Sequence, residues 1–271
     1  MSQALLEPAE VELPELAEAD AAAAVVWALK TFNRGRVAVV TALQKEGMVV
    51  ADLALRVDPA VRIVTIDTGR LPAETHAFLD TFRARYRRDV EVRRPDPERV
   101  VEFVSAHGPD AFYISPELRL ACCDLRKVKP SARLLSELDC WLTGLRRGQS
   151  ALRADTPLLE RDDAHGSVVK VNPVAAWSEA QVDAYLADHA VPVHPLYAHG
   201  YRSIGCAPCT RAVQSGEDIR AGRWWWEHGV DTECGIHPRP RGGALEGAEI
   251  TRRRAGGHAR IAGSHRTSGR V

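Results

Sequence analysis

Six cysteines are spaced in a way that chemistry can use. Cys122 and Cys123 are adjacent, and far downstream Cys206 and Cys209 form a second pair with two residues between them. Four thiolates in two pairs suit a tetrahedral zinc ion or a cubane iron-sulfur cluster, since both accept four sulfur ligands. CxxC is the usual zinc half-site. Neighbouring residues on a helix, however, point about 100° apart, which suits two corners of a larger cluster better than two ligands on one small ion. Lys127, one helical turn after Cys123, is placed to bring an ammonium group beside the sulfurs. Cys234 stands apart, next to Gly235 and three residues before His237, where an exposed, reactive thiol is expected; the plainer alternative is a spare surface cysteine. Cys140 lies inside an apolar run and reads as a small buried hydrophobe.

In a reducing compartment thiols stay reduced, so six cysteines there suggest metal binding or catalysis before they suggest disulfides. The first twenty residues are acidic, without the basic start and apolar stretch of a secretory signal, and no apolar run approaches the ~18 residues of a membrane span. The chain therefore reads as cytoplasmic, with no membrane partner. Its 36 basic and 36 acidic residues give a formal net charge of zero, so the overall balance calls for no nucleic-acid partner. With 271 residues, 45% of them hydrophobic, the chain has enough material for one sizeable core.

The elements that must position these residues alternate. Residues 19–32 read as a helix closing at Arg34-Gly35, with the glycine as a left-handed cap. Strand-like runs at 37–41, 62–67, 90–93 and 138–143 are separated by helical stretches at 47–56, 72–86 and 97–107. A further strand is expected at 168–171, and Ser178 with Gln181 carries the reciprocal capping pattern of a helix running to about His189. Such alternation predicts an α/β fold with a parallel sheet flanked by helices on both faces. Ligands bind such sheets at the carboxyl ends of the strands, so Thr41, Asp67 to Arg70 and Gly144 to Arg147 are expected to meet in one crevice. Beyond Pro238 the chain is rich in Gly and Arg with almost no large apolar residues, and a disordered, solvated basic tail is expected. The organisation is thus an N-terminal helical segment (1–35), one domain (36–237) and a tail (238–271).

Taken in order, several motifs resemble one family, the assimilatory adenylyl-sulfate and phosphoadenylyl-sulfate reductases, which are Rossmann-like relatives of the adenine-nucleotide α-hydrolases. They are Ile66-Asp67-Thr68-Gly69-Arg70-Leu71, Cys122-Cys123 with Arg126-Lys127-Val128, Trp141-Leu142-Thr143-Gly144-Leu145-Arg146-Arg147, Gly205-Cys206-Ala207-Pro208-Cys209, Gly222-Arg223-Trp224-Trp225-Trp226 and Glu233-Cys234-Gly235-Ile236-His237. The resemblance implies one [4Fe-4S] cluster per subunit on Cys122, Cys123, Cys206 and Cys209, with Cys234 as nucleophile toward the sulfonyl sulfur of adenylyl sulfate. AMP would leave, and reduced thioredoxin or glutaredoxin would release sulfite for sulfate assimilation and cysteine biosynthesis. Arg153, Arg220, Arg223 and Lys127 would clamp the phosphosulfate, with Thr41, Asp67, Gly69, Gly144, Arg146, Arg147 and His237 as further substrate contacts. The resemblance allows a homo-oligomer. The branch that uses the 3′-phosphorylated substrate typically lacks the two cysteine pairs, so their presence points to adenylyl sulfate.

Charge explains why so many cations are needed. A thiolate nearing a sulfonate meets like charge, costing about 4 kcal/mol per unit pair at 4 Å for an effective dielectric near 20. Arginine guanidinium groups can fork onto phosphate and sulfate oxygens to offset this. One departure stands out: where the family has a serine-rich, glycine-containing phosphate loop, this chain has Thr41-Ala42-Leu43-Gln44-Lys45-Glu46-Gly47. Alternatives are a reductase of 3′-phosphoadenylyl sulfate, an ATP-dependent nucleotide α-hydrolase such as a thiolation enzyme on RNA, and a non-enzymatic metal-bound redox sensor or zinc-stabilised binding module. The run Trp224 to Trp226 suits either packing or a ligand wall, with packing the commoner use of such runs.

Overall fold

The computed structural model describes residues 10–227, so the expectations for Cys234, His237 and the tail lie outside the described residues. Six strands form one sheet: β1 (Val37–Val40), β2 (Arg62–Ile66), β3 (Glu91–Arg93), β4 (Cys140–Leu142), β5 (Leu159–Asp162) and β6 (Val168–Val171). Their order is β3-β2-β1-β4-β6-β5. All neighbours run parallel except β5, which pairs antiparallel with β6. The helices are α1 (Ala21–Thr31), α2 (Lys45–Val57), α3 (Ala73–Tyr86), α4 (Pro97–His107), α5 (Pro116–Cys123), α6 (Lys129–Leu135) and α7 (Glu179–Asp188). Among the described residues no helix is long and apolar enough to cross a membrane.

The central strands are β-branched and apolar because helices cover both faces. Val37, Val39, Ile63, Cys140, Leu142, Val169 and Val171 pack with α1, α2 and α7 in the larger core. Residues one step out of phase, Ala38, Val64, Ile66, Trp141 and Val168, pack on the other face against Leu134 and Leu135 of α6. This is the period-two alternation of a strand. Cys140 is fully buried in the larger core.

Local capping sets the helix starts. The Asp96 side chain accepts from the amides of Glu98 and Arg99, with Pro97 at the first helical position. Ser178 and Gln181 cap each other reciprocally at the start of α7, the pattern expected from the sequence. The end of α1 differs from expectation: the helix stops at Phe32, whose backbone is extended. Gly35 lies instead in a short turn opened by Asn33, whose side chain accepts from the Gly35 amide; with that cap in place no left-handed residue is needed.

Strand β5 is absent from the sequence expectations. Leu159-Glu160-Arg161-Asp162 lies at a sheet edge and pairs on one side only, so it carries no continuous apolar run. A buried carboxylate also ties three helices together. Asp52 on α2 accepts hydrogen bonds from Tyr86 at the end of α3 (3.0 Å) and Tyr185 on α7 (2.8 Å), and pairs with Arg56.

Replacing Asp52 with alanine strands two tyrosine hydroxyls and should cost about 3 kcal/mol, read as a lower denaturant midpoint with unchanged slope. A pH effect follows from His194, which is 1% exposed. Its Nδ1 accepts from the Leu196 amide, so Nε2 donates to Thr75, and burial lowers its pKa. The unfolded chain therefore takes up a proton that the folded chain refuses. The contribution of His194 is complete above about pH 6.5 and shrinks as pH falls below it. The melting-temperature gap between wild type and His194→Gln should accordingly narrow between pH 7 and pH 5.

Candidate active site

The strand order reverses between β1 and β4, which opens a crevice at their carboxyl ends. A cleft of about 410 Å³ lies there. Its floor is the loop after β1, from Thr41 to the first turn of α2, together with Thr143 to Arg146 after β4. Thr41 bends this loop by accepting from the Leu43 amide at 2.9 Å. The two loops touch closely, since a Cβ placed on Gly144 would lie 2.5 Å from the Gly47 nitrogen. Glycine is therefore needed at 144 to let the β4 loop rest on the α2 N-terminus. Arg146 crosses the same junction and donates to Glu46 at 3.2 Å, with both side chains largely buried.

Of the residues singled out from the sequence, Thr41, Lys127, Gly144, Arg146, Arg153, Arg220 and Arg223 all line this cleft. Asp67, Gly69 and Arg147 do not. The Asp67 carboxylate faces His76 and Arg94, each at 3.3 Å, and also holds the Gly69 amide. Arg147 turns outward to form a two-pronged pair with Glu18. The expected crevice is thus built by the loops after β1 and β4, without the loop after β2. That third loop serves the cysteines: Thr68 Oγ1 lies 3.1 Å from Cys206 Sγ, and the Arg70 carbonyl accepts from the Ala207 amide at 2.8 Å.

The four paired cysteines meet beside the cleft. Cys122, Cys123, Cys206 and Cys209 line one cavity of about 60 Å³. Cys122 and Cys123 end α5; the chain then makes a wide turn over Asp124–Val128, closed by the Lys129 amide donating to the Asp124 carbonyl, before α6 continues. This π-type turn replaces the single continuous helix on which Lys127 was placed, and Lys127 still lines the cysteine cavity. Cys206 and Cys209 bracket a one-turn helix. Gly205, just before it, is where a Cβ would strike the Arg223 guanidinium, so the arginine lies directly over the backbone leading to Cys206. Among the described residues no three His, Cys, Asp or Glu side chains are gathered tightly enough to hold one metal ion.

The cavity wall is strongly cationic, with Arg70, Arg119, Arg126, Lys127 and Arg223 all lining it. Arg126 donates to the Thr68 carbonyl at 2.9 Å. Burial pushes the Cys122 thiol up, against Arg126, and the Cys209 thiol up to about 12, reinforced by its neighbouring cysteines. Left as thiols these sulfurs stay protonated; to bind a metal group they must lose those protons. Arg119 Nη1, Arg126 Nε, Arg223 Nε and Trp224 Nε1 are buried with no hydrogen-bond partner among the described residues. All four belong to the cavity wall, so the donor set fits an anionic group held among the sulfurs. Trp224 packs between Arg119 and Arg223, whose guanidinium carbons lie 4.7 and 4.6 Å from its ring. The tryptophan run is thus packing around the cysteines, with Trp225 the more exposed member.

Lys127 and Arg223 belong to both walls, that of the cleft and that of the cysteine cavity. Arg119 and Glu227 were not singled out from the sequence. The four-residue spacing of Arg119 and Cys123 on one helix was the available signal for the first.

A cation-lined cleft at the switch point of a doubly wound sheet defines an α/β protein built to bind an anionic, nucleotide-sized ligand. The phosphoadenosine phosphosulfate reductase domain family matches residues 36–212, and the chain belongs to that family. A protein named adenosine 5′-phosphosulfate reductase from Allochromatium vinosum is 47% identical over 199 residues, covering 73% of this chain and 77% of that one. Another of the same name from Burkholderia cepacia is 47% identical over 197 residues, covering 73% and 78%. Among solved structures, phosphoadenylyl-sulfate reductase from Candida auris, in a phosphate complex, superposes with a TM-score of 0.60 at 28% identity, covering 72% of this chain and 90% of that one.

The contact between Gly144 and the α2 N-terminus has a direct test. Gly144→Ala should lower stability by about 2 kcal/mol through overpacking, a loss of roughly 4–8 °C in melting temperature.

Proposed function

We propose that the protein reduces adenylyl sulfate to sulfite and AMP, using reduced thioredoxin in the cytoplasm, through a thiosulfonate on Cys234. The observation that carries this reading is the shared wall: Lys127 and Arg223 line the nucleotide-sized cleft on one side and the four cysteines on the other. The names of the 47%-identical relatives support it. Arg153 and Arg220 complete a ring of guanidinium groups on the cleft that would fork onto phosphate and sulfate oxygens.

Cys122, Cys123, Cys206 and Cys209 would hold a [4Fe-4S] cluster. The four buried, unpartnered N–H donors around them support a multi-sulfur anion over a lone ion. When bound, the cluster would supply a fixed anionic scaffold that ties α5 to the segment 206–209.

In the reaction, the Cys234 thiolate attacks the sulfonyl sulfur. The bond from that sulfur to the phosphate oxygen breaks, and AMP leaves with the electron pair. A thioredoxin thiolate then attacks Cys234 Sγ and expels sulfite, and the second thioredoxin thiol frees Cys234 again. The dithiol thus supplies two electrons and the substrate sulfur gains them. An ordinary cysteine with a pKa near 8.5 is only a few per cent thiolate at pH 7, and Glu233 beside it works against ionisation. Arg153, Arg220 and Arg223 would offset both that and the charge on the incoming sulfonate.

Sulfite release by anaerobically purified protein with reduced thioredoxin should favour adenylyl sulfate over its 3′-phosphorylated form. Preference for the phosphorylated form would correct the substrate alone, and no turnover of either would overturn the reading. Cys234→Ser should abolish sulfite release while leaving cluster absorbance intact. Arg153→Met should lower kcat/KM about 100-fold, the usual scale for removing one charge-stabilising donor.

A further inference from the structure

Arg119 and Glu227 form a buried ion pair outside the cleft. The Arg119 side chain is 0% exposed and the Glu227 side chain 4%. They meet through two parallel hydrogen bonds of 2.9 and 2.8 Å. A buried pair of this kind gains little net stability, because removing two charges from water costs about as much as their attraction returns. Its value is geometric: the planar fork fixes distance and angle together.

The two partners lie where geometry matters. Arg119 is on α5, one turn before Cys123, which acts on its charge. It lines the cysteine cavity, and its Nη1 is buried without a hydrogen-bond partner among the described residues. Glu227 follows the Trp224 packing, with its amide donating to the Trp224 carbonyl at 2.8 Å. Cys234 comes seven residues later in the sequence, a stretch that can reach at most about 25 Å. Where Glu227 is held therefore limits where the thiol can go.

We infer that Arg119 and Glu227 are a positioning pair, which fixes the root of the segment bearing Cys234 to the cysteine site and so sets the approach of the nucleophile. This rests on the reading of Cys234 as the nucleophile. The pair holds the nucleophile's tether while the cleft binds substrate by itself, so its loss lowers turnover without weakening binding. Because Arg119 makes the link through α5, the tether is held in place by the element that carries Cys122 and Cys123.

Glu227→Gln keeps the shape and removes the charge; Glu227→Asp and Arg119→Lys keep the charge and change the reach. In Glu227→Gln, iron and sulfide content per chain should match wild type, while the melting temperature falls because the Arg119 charge is left buried without its partner. KM for adenylyl sulfate should stay within twofold, and kcat should fall at least tenfold. Glu227→Asp should recover part of the loss. Alkylation of Cys234 by iodoacetamide at pH 7, followed by mass spectrometry, should slow at least threefold in Glu227→Gln. Unchanged kcat and alkylation rate would overturn the inference. A loss of iron, or a loss of folded protein at the assay temperature large enough to account for the lost turnover, would also overturn it, by making the pair merely structural. If wild type does not turn over adenylyl sulfate at all, the proposed function fails, yet the alkylation comparison still decides the pair.

Discussion

Bringing four cysteine sulfurs into one buried cavity is the constraint on which the rest of this molecule depends. Ionised, they repel one another; protonated, they cannot bind a metal group. The fold answers with cations from separate elements: Arg70 from the loop after β2, Arg119 from α5, Arg126 and Lys127 from the wide turn, and Arg223 from the last described turns. Several are fastened by something other than sulfur: Arg126 donates to the Thr68 carbonyl, Arg119 to Glu227 and Arg70 to the Pro109 carbonyl. The cations are therefore in place before any ligand arrives, and two of them also face the cleft. One charge arrangement thus lines both the cysteine cavity and the cleft.

The sheet follows the same logic. Its switch point lies between β1 and β4, and the loops leaving those strands build the cleft. The loop leaving β2, one strand further out, is displaced toward the cysteines, where Thr68 and Arg70 hold the segment 206–209. A one-strand difference in position decides which site a loop serves, and for that reason Asp67 and Thr41 part company.

Much of this was readable from sequence where the signal is local. Helix α4 and strand β6 fall at their expected boundaries because a capping aspartate with proline and an uninterrupted β-branched run define them. The two cysteine pairs were legible from residue type and spacing, whereas Arg153, Arg220 and Arg223, which line the cleft, were singled out through the family resemblance. What escaped depends on contacts between distant residues. Asp52 reads as an ordinary polar position on an amphipathic helix until two tyrosines from α3 and α7 converge on it. The Arg119 and Glu227 pair joins residues 108 apart in sequence. Strand β5 is defined by its neighbour rather than its composition, and the fate of Asp67 was set by strand order, which no single motif encodes.

The wide turn at Asp124–Val128 carries a consequence for how this chain can vary in length. It holds one residue more than an α-helical turn would and joins two helical stretches that need different rotational phases. Losing one residue there would restore an uninterrupted α-helix and rotate everything before it by about 100° relative to everything after it. Cys122 and Cys123 would then turn relative to Leu134 and Leu135, which seal α6 against the sheet. Substitutions in this stretch act one side chain at a time, whereas an insertion or deletion would uncouple the cysteine site from the sheet in a single step.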